Sequence, residues 1–293
     1  PAALSEAQSL LKDLGALTKD GRITPHGNAL ARLPLHPRLG HMLTTAGPQA
    51  AELAALLNER DPLGRNAGAD LSLRLRALKD RSMPKEVAAR IAQEIKRLRK
   101  LTSNHRAVPL SLGAITALAY PARIGQRRKG SAPRYVLSGG KGAAFEEDDS
   151  LSCAPYIVVT DTDGNPREAR IRQAAQITLP DIRALYGDRI AWHNECVWSK
   201  RDRRVTTRPI EKLGALALDE RIWKDAPEED IAKAMLEGVR TLGLNLSAAE
   251  RRFQTRVALL RQSGEDLPDV SEDALMEDAE VWLLPYLSGI KTA

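Results

Sequence analysis

The spacing of apolar residues changes at Pro121, and this change constrains the fold more than any other feature of the chain. Before Pro121, apolar residues recur at the 3.6-residue period of amphipathic helices, whereas after it they alternate with polar residues, as in half-buried strands. The strand-like runs are 134–137, 156–160, 169–177, 189–198 and 203–218, with one predicted helix at 180–186 among them. Helices return from about residue 227. We therefore predict a multidomain α+β protein that contains an OB-like small β-barrel.

Residues 1–36 are predicted to form part of a winged helix. Ser5 and Gln8 have the spacing of a capping box, which marks the start of a short helix. Asp20-Gly21 then provides the positive φ angles that a tight hairpin needs, and Thr24-Pro25 supplies the N-cap and first residue of a second helix. A helix, a hairpin and another helix within so short a segment are typical of a winged helix.

Residues 37–119 are predicted to form a helical bundle. The longest helix begins after Ser82 and has one apolar stripe at Val87, Ile91, Ile95, Leu98 and Leu101. Glu94 lies beside this stripe, and we expect it to form an ion pair with Arg90 or Arg97, its neighbours on the helix surface. The barrel is predicted over 120–224, and an acidic helical C-terminal segment over 225–293.

Charge is distributed unevenly along the chain. Residues 1–120 contain 18 basic and 10 acidic side chains, residues 121–210 contain 16 and 11, and residues 211–293 contain 10 and 17. The first two segments are therefore cationic and the last is anionic, which favours a polyanion-binding surface in the front of the chain. Residues 71–106 alone contain 11 basic and 3 acidic side chains, for which a solvated helical face is an equally good explanation.

Several classes of protein do not fit this sequence. The most apolar run, 110–120, is interrupted by Ser111, Gly113 and Thr116, so it is too short and too polar to span a membrane. Cys153 and Cys196 are the only two cysteines, too few for a disulfide framework or a structural zinc site. We therefore expect a cytoplasmic protein without membrane contact.

Motifs that resemble catalytic or metal sites are incomplete. The segment Gly139-Gly140-Lys141-Gly142 lacks the Ser or Thr that a P-loop needs to bind magnesium. A calcium-like loop at 161–172 has Pro166 and Arg172 where glycine and glutamate are required. His193 and Cys196 are only half of a zinc site. We predict no catalytic residues and no metal ligands, and expect the first two segments to form turns.

Two arginine-rich clusters in the predicted barrel suit phosphate binding. Guanidinium groups pair bidentately with phosphates, and OB loops commonly contact single strands. The clusters are Arg123, Arg127, Arg128, Lys129 and Arg134, and then Lys200, Arg201, Arg203 and Arg204. Five aromatic residues could stack on bases, although filling the core is the better explanation for most of them. These are Tyr135, Phe145, Tyr156, Trp192 and Trp198.

Several segments resemble the DEAH-box RNA helicases. The first part resembles the family's winged helix and elbow at Leu14-Gly15-Ala16-Leu17, at residues 20–27 and at Leu33-Pro34-Leu35-His36-Pro37-Arg38-Leu39. Residues 119–128, 157–161 and 282–289 narrow the resemblance to a bacterial branch of this family. Ala122 stands where the family's motif has an acidic residue, so the resemblance does not identify a partner for Arg123.

The resemblance implies the accessory region of a helicase: a winged helix, a ratchet-like helical bundle and an OB-like barrel. In this family two RecA-like motor domains precede the winged helix and hold ATP and Mg²⁺. Because the chain begins at the winged helix, we expect a piece truncated at both ends that binds no cofactor and hydrolyses no ATP. The expected partners are single-stranded RNA and the motor domains of the same parent chain. The RNA contacts predicted for the bundle are Arg74, Arg76, Arg97 and Lys100, and those for the barrel are Arg123, Arg127, Arg128, Arg201 and Arg203.

Two other functions remain open from the sequence. The acidic segment after residue 225 could dock a basic protein, which would make the chain an interaction scaffold. A winged-helix DNA-binding regulator is the weaker alternative, because the helix after Pro25 offers only His26, Asn28 and Arg32 to base edges.

Overall fold

A computed structural model describes residues 2–64, 67–102 and 108–292. The chain divides into two compact units. The first comprises Pro1–Ile190 with Leu213–Leu216, and the second comprises Ala191–Lys212 with Ala217–Ala293. No helix within the described ranges is both long and apolar enough to cross a bilayer.

The first unit begins with the predicted helix, hairpin and helix. Helices α1 (Ala2–Asp13) and α2 (Pro25–Ala31) flank a hairpin in which Leu17 bridges Ile23. The Thr24 hydroxyl accepts a hydrogen bond from the Gly27 N–H at 2.9 Å, as expected of an N-cap. The Thr24 cap and the Asp20-Gly21 turn were therefore predicted correctly, whereas the Ser5 capping box was wrong, because α1 begins at Ala2 and Ser5 lies inside the helix.

The helical bundle surrounds an aliphatic core that includes Leu43, Leu53 and Leu71. Its helices are α3 (Pro37–Ala46), α4 (Ala51–Asn58), α5 (Leu71–Lys79), α6 (Lys85–Leu101) and α7 (Leu112–Ala119). Ile91 and Leu98 of the predicted stripe are fully buried on α6. Leu101 is an exception, since it lies at the end of the helix and is 52% exposed.

A closed five-stranded barrel follows the bundle. Its strands are β1 (Ile124–Arg127), β2 (Arg134–Leu137), β3 (Gly142–Ala144), β4 (Tyr156–Thr162) and β5 (Glu168–Gln176). The strand order is β1-β2-β3-β5-β4, and β4 pairs with β1 to close the sheet. All pairs are antiparallel except β3 with β5, which run parallel. The predicted P-loop-like segment is the turn of the β2–β3 hairpin, and helix α8 (Leu179–Tyr186) follows β5.

The second unit contains a separate sheet of three strands and the C-terminal helices. The strands are β6 (Ala191–Ser199), β7 (Arg204–Leu213) and β8 (Leu216–Glu220), and the helices are α9 (Glu228–Leu242), α10 (Ala248–Gln262), α11 (Glu272–Glu277) and α12 (Ala279–Trp282). Helix α9 contributes Ile231 and Met235 to the core of this unit. The barrel therefore covers a shorter part of the chain than the predicted 120–224, because its closed sheet ends at Gln176 and the later strands form another sheet.

Candidate nucleic-acid interface

Arg74 is buried and cannot reach a nucleic acid. Its side chain is 1% exposed and forms an ion pair with Asp61 at 2.8 Å. Burial alone would raise the pKa of Asp61, but hydrogen bonds from Arg74 and Gln173, together with the charge of Arg74, hold that pKa below its ordinary value. The prediction that Arg74 contacts phosphate was wrong, because this guanidinium is buried in the bundle and pairs with Asp61.

The other three cations predicted on the bundle lie at its surface. Arg97 forms a bidentate pair with Glu94, with Nε to Oε2 at 2.7 Å, which confirms the ion pair predicted for Glu94. Arg76 and Lys100 are exposed, and within the described ranges neither side chain has a hydrogen-bonding or ionic partner. Arg76 and Lys100 are therefore better placed than Arg97 to bind a phosphate group.

Arg123 is held by groups of its own unit. Its Nη1 donates to the Thr160 carbonyl at 2.8 Å, and its guanidinium lies 5.4 Å from the ring centroid of Tyr120. Arg38 also lies over this ring, at 5.2 Å. The partners of Arg123, which the sequence did not identify, are thus the Thr160 carbonyl and the face of the Tyr120 ring. Arg123 therefore has fewer donors left for phosphate than the sequence suggested.

Arg127 fastens the loop between β1 and β2 rather than projecting from it. Its Nε, Nη1 and Nη2 donate to the carbonyls of Ser152, Gly130 and Ser131 at 3.0, 3.3 and 3.1 Å. All three guanidinium nitrogens therefore have backbone acceptors. The residue predicted as a contact is better described as a positioning residue for the loop that carries Arg128.

Arg128 lies where two loops of the barrel meet. A Cβ atom added to Gly142 would lie 3.6 Å from an Arg128 Nη2 and 3.3 Å from the carbonyl oxygen of Arg167. Gly142 on β3 therefore borders both the β1–β2 loop and the β4–β5 loop, which end near each other because β3 runs parallel to β5. In OB-type barrels these two loops are the usual oligonucleotide-binding elements.

The charge around this point is predominantly positive. Arg128, Lys141 and Arg167 are exposed, and within the described residues their side chains have no acidic partner. Arg134 and Arg170 are partly neutralised by Glu168 and Glu146. We call Arg128, Lys141 and Arg167 the barrel cation cluster. Lys141 and Arg167 were not predicted as contacts, because the sequence indicates the turns that hold them but not which residues lie near them in space.

Arg201 and Arg203 lie in the turn between β6 and β7 of the second unit. Both are exposed. The Ser199 hydroxyl donates to the Asp202 carboxylate at 2.9 Å, which fixes the turn, and Arg203 adopts a left-handed backbone conformation with φ of 48°. Their exposure leaves both guanidinium groups accessible to a charged partner.

Two aromatic side chains of the barrel, Tyr135 and Phe145, face its interior. Tyr135 is fully buried, its hydroxyl donates to nearby carbonyls such as Ala154 at 2.9 Å, and burial raises the pKa of this phenol to about 12. Phe145 is also buried and packs edge-on against Tyr135. Within the barrel strands, Tyr156 is only half-buried but not exposed. Trp198 of the second unit is half-buried and Trp192 is 41% exposed, so the prediction that most of the five aromatics fill the core is confirmed only for Tyr135 and Phe145. A nucleic acid on the barrel would therefore depend on its phosphates.

The described residues contain no group of three or more His, Cys, Asp and Glu side chains that could hold a metal ion. His193 is exposed on β6, although partial burial was predicted for it. Cys153 and Cys196 are both free thiols.

Comparison with known proteins agrees with the fold. Residues 7–35 match the winged-helix type of the helicase associated domain HA2. The chain is 27% identical over 301 aligned positions to the ATP-dependent RNA helicase HrpB of Escherichia coli K12, an alignment that covers 98% of this chain and 36% of the helicase. The chain therefore spans about a third of the length of this curated relative.

Two solved structures extend the similarity to three dimensions. The crystal structure of the E. coli DExH-box NTPase HrpB has a TM-score of 0.60 and 26% identity, covering 98% of this chain and 36% of that one. The crystal structure of the E. coli DEAH/RHA helicase HrpB has a TM-score of 0.61 over 99% of this chain and, at 24% identity, supports the fold alone. By sequence and by fold, this chain resembles the C-terminal region of the HrpB helicases.

Proposed function

We propose that the chain is the strand-gripping accessory region of an ATP-dependent RNA helicase and binds single-stranded RNA without regard to its sequence. The observation that carries this proposal is the barrel cation cluster, in which the β1–β2 loop, the β2–β3 turn and the β4–β5 loop bring unpaired cations to one border of the barrel. Phosphate contacts carry no sequence information, which suits a motor that must move along any strand.

The geometry favours RNA binding through phosphate groups rather than through stacking on bases. Arginine and lysine side chains at the cluster provide several donors each, whereas Tyr135 and Phe145 are buried and unavailable to bases. Exposed Arg76 and Lys100 on the bundle, and Arg201 and Arg203 on the second unit, are further contacts under this proposal. Arg74 is excluded from it.

The parent protein would supply the motor. We propose that ATP and Mg²⁺ bind in RecA-like domains of the same parent chain, and that this region itself has no nucleotide site. The purified chain is then expected to show no RNA-stimulated ATP hydrolysis above background. Turnover that persists through several purification steps and survives in the Arg128→Ala variant would contradict this division of labour.

Fluorescence anisotropy of a labelled single-stranded RNA, measured across a salt series, tests the grip. If four to six phosphates are neutralised, log K should fall with log salt at a slope of roughly −3 to −4. The Arg128→Ala and Arg167→Ala variants should each weaken binding and reduce this slope by about 0.7. Lys12→Ala, which removes an exposed cation on α1, is the matched control.

The competing functions give different results in the same assay. A flat salt response would favour a protein-interaction scaffold, and a preference for one duplex DNA sequence would favour a winged-helix regulator. Either result, with both arginine variants behaving like Lys12→Ala, would overturn the proposal.

A further inference from the structure

Helices α4, α5 and α6 enclose a groove in the bundle that the proposed RNA grip does not use. Its volume is about 700 Å³, and its floor is aliphatic, formed by Leu78, Met83, Ala88, Ala92 and Ile95. Met83 is 4% exposed and anchors the floor, whereas Ala92 is open to solvent. Space of this size accommodates several aliphatic side chains from a partner.

Cations surround this floor. Lys79, Arg81, Lys85, Lys96 and Arg99 line the groove, against one acidic residue, Glu52. Arg99 is paired with Glu52 at 2.7 Å. The other four are exposed, and within the described parts of the chain their side chains have no hydrogen-bonding or ionic partner. The groove thus combines an apolar floor with an uncompensated basic rim.

Arg81 occupies a position that ordinarily favours glycine. It follows α5 with a φ of 55°, in the left-handed region, and the next residue closes the helix end through a hydrogen bond from the Ser82 N–H to the Ala77 carbonyl at 3.1 Å. Glycine would adopt this conformation without steric cost. The chain thus has the charged residue Arg81 at the rim of the groove, where glycine would suit the backbone best.

The composition of the groove selects among possible ligands. A nucleic acid held through its phosphates would use the cations but leave the aliphatic floor unfilled, and the lining has no aromatic side chain on which a base could stack. An amphipathic helix places aliphatic residues of spacing i, i+3, i+4 and i+7 into such a groove, and its flanking carboxylates would meet the rim. We propose that this groove, which we call the basic-rimmed groove, is a docking site for an acidic amphipathic helical segment of a partner protein.

The basic-rimmed groove is distinct from the residues assigned to RNA. At 100° per residue, Lys85, Ala92 and Lys96 lie within about 40° of one another around α6, and Arg97 lies about 120° from Lys85. None of the residues assigned to RNA lines the groove. The inference therefore does not depend on the RNA proposal, and the two can fail separately.

A designed peptide tests the inference on the intact chain. The probe is a fluorescein-labelled helical peptide of about 18 residues with leucines at helix-face spacing and glutamates elsewhere. We expect a dissociation constant on the order of 10 µM, as suits a small interface. A scrambled peptide of the same composition, and a version with lysine in place of glutamate, should bind at least about tenfold more weakly.

Three variants and one control, Gln93→Glu, locate the binding site. Ala92→Glu places a charge on the floor and should weaken peptide binding by about tenfold or more, whereas Gln93→Glu makes the same charge change one residue away, outside the lining, and should not. The Lys79→Glu, Lys96→Glu double variant should also weaken binding about tenfold. Arg81→Gly should raise the melting temperature yet weaken the peptide complex, a combination that misfolding cannot produce.

The outcomes decide the proposal. Loss of peptide binding in Ala92→Glu and Arg81→Gly, with Gln93→Glu unchanged, would support it. Failure of the acidic peptide to bind, or equal effects of Ala92→Glu and Gln93→Glu, would overturn it. A twelve-nucleotide oligouridine is the competitor: displacement of the peptide by this RNA, together with RNA binding that is sensitive to Ala92→Glu, would assign the groove to nucleic acid instead.

Discussion

The Arg74 guanidinium donates to both carboxylate oxygens of Asp61, with Nε to Oδ1 at 3.3 Å and Nη2 to Oδ2 at 2.8 Å. A third nitrogen, Nη1, donates to the carbonyls of Gly68 and, at 3.2 Å, Asp70. One side chain thereby ties the start of α5 to the loop that precedes it. Arg74 is a structural arginine in a helix whose other basic residues face solvent.

Replacement of Arg74 by alanine should destabilise the bundle without changing the RNA-binding surface. The substitution leaves the Asp61 carboxylate and two carbonyls without their donor, and we expect a loss of about 3 kcal/mol, at the low end for buried pairs because Asp61 is partly exposed. Urea denaturation measures the loss. Arg76→Ala, two residues along and exposed, should change stability by less than about 0.5 kcal/mol. Equal effects of the two variants would contradict the structural role.

Acid should destabilise the first unit through the pair His26 and His41. The His26 Nε2 and His41 Nδ1 atoms lie 2.8 Å apart, so one ring must remain a neutral acceptor. Burial first, then the nearby His26 and Arg189 charges, lowers the pKa of His41 from 6.5 to about 4. Since the unfolded chain takes up this proton near pH 6.5 and the folded chain only near pH 4, stability is complete above pH 6.5 and falls as the pH drops between these values.

The free energy of unfolding lost through this pair should approach about 3 kcal/mol below pH 4. Thermal unfolding between pH 7 and pH 4 measures it, with His41→Gln expected to show a shallower acid loss than the wild type. His193→Gln, at an exposed histidine of the second unit, should retain the wild-type slope. An identical pH profile for wild type and His41→Gln would exclude His41 as the source.

Local chemistry made part of the fold predictable. The Asp20-Gly21 turn and the Thr24 cap depend on residues within a few positions of each other, and the Glu94 to Arg97 pair joins neighbours on one helix face. Alternation also predicted β2, β4, β5 and β6, but the predicted runs did not include the short strands β1 and β3 and joined β7 and β8 into one. Alternation cannot say which sheet a strand joins, however, and for this reason β6 to β8 were assigned to the barrel.

Tertiary pairing determined what sequence patterns could not. Arg74 was predicted as a contact because it lies in a basic stretch, but its partner Asp61 lies 13 residues away, before α5. Arg128 and Arg167 belong to different loops and are related only through Gly142 and the parallel pairing of β3 with β5. The number of basic residues in a segment therefore indicated a charged region without separating structural arginines from accessible ones.

Gly27 should tolerate no side chain. A Cβ atom there would lie 2.2 Å from the Ala16 carbonyl oxygen and 2.8 Å from the Ile23 Cγ1, so α2 would have to move away from the hairpin. We expect Gly27→Ala to cost about 3 kcal/mol in urea denaturation. Gly21→Ala, where φ is 82° but nothing lies within 4 Å, should cost only about 1 kcal/mol. A smaller loss for Gly27→Ala than for Gly21→Ala would contradict this contact.

Charge alone should not substitute for Arg127. A lysine keeps the positive charge but its single ammonium group cannot reach the carbonyls of Ser152, Gly130 and Ser131 together, so Arg127→Lys should loosen the β1–β2 loop. Hydrogen exchange of residues 128–132 should then increase, and single-stranded RNA affinity should fall about threefold to tenfold. Arg128→Lys, which preserves a point charge at an exposed site, should reduce affinity by less than about threefold. If both lysine variants instead lose affinity equally while exchange in the loop stays at the wild-type rate, Arg127 contacts the phosphates directly and its three carbonyl bonds are not what orders the interface.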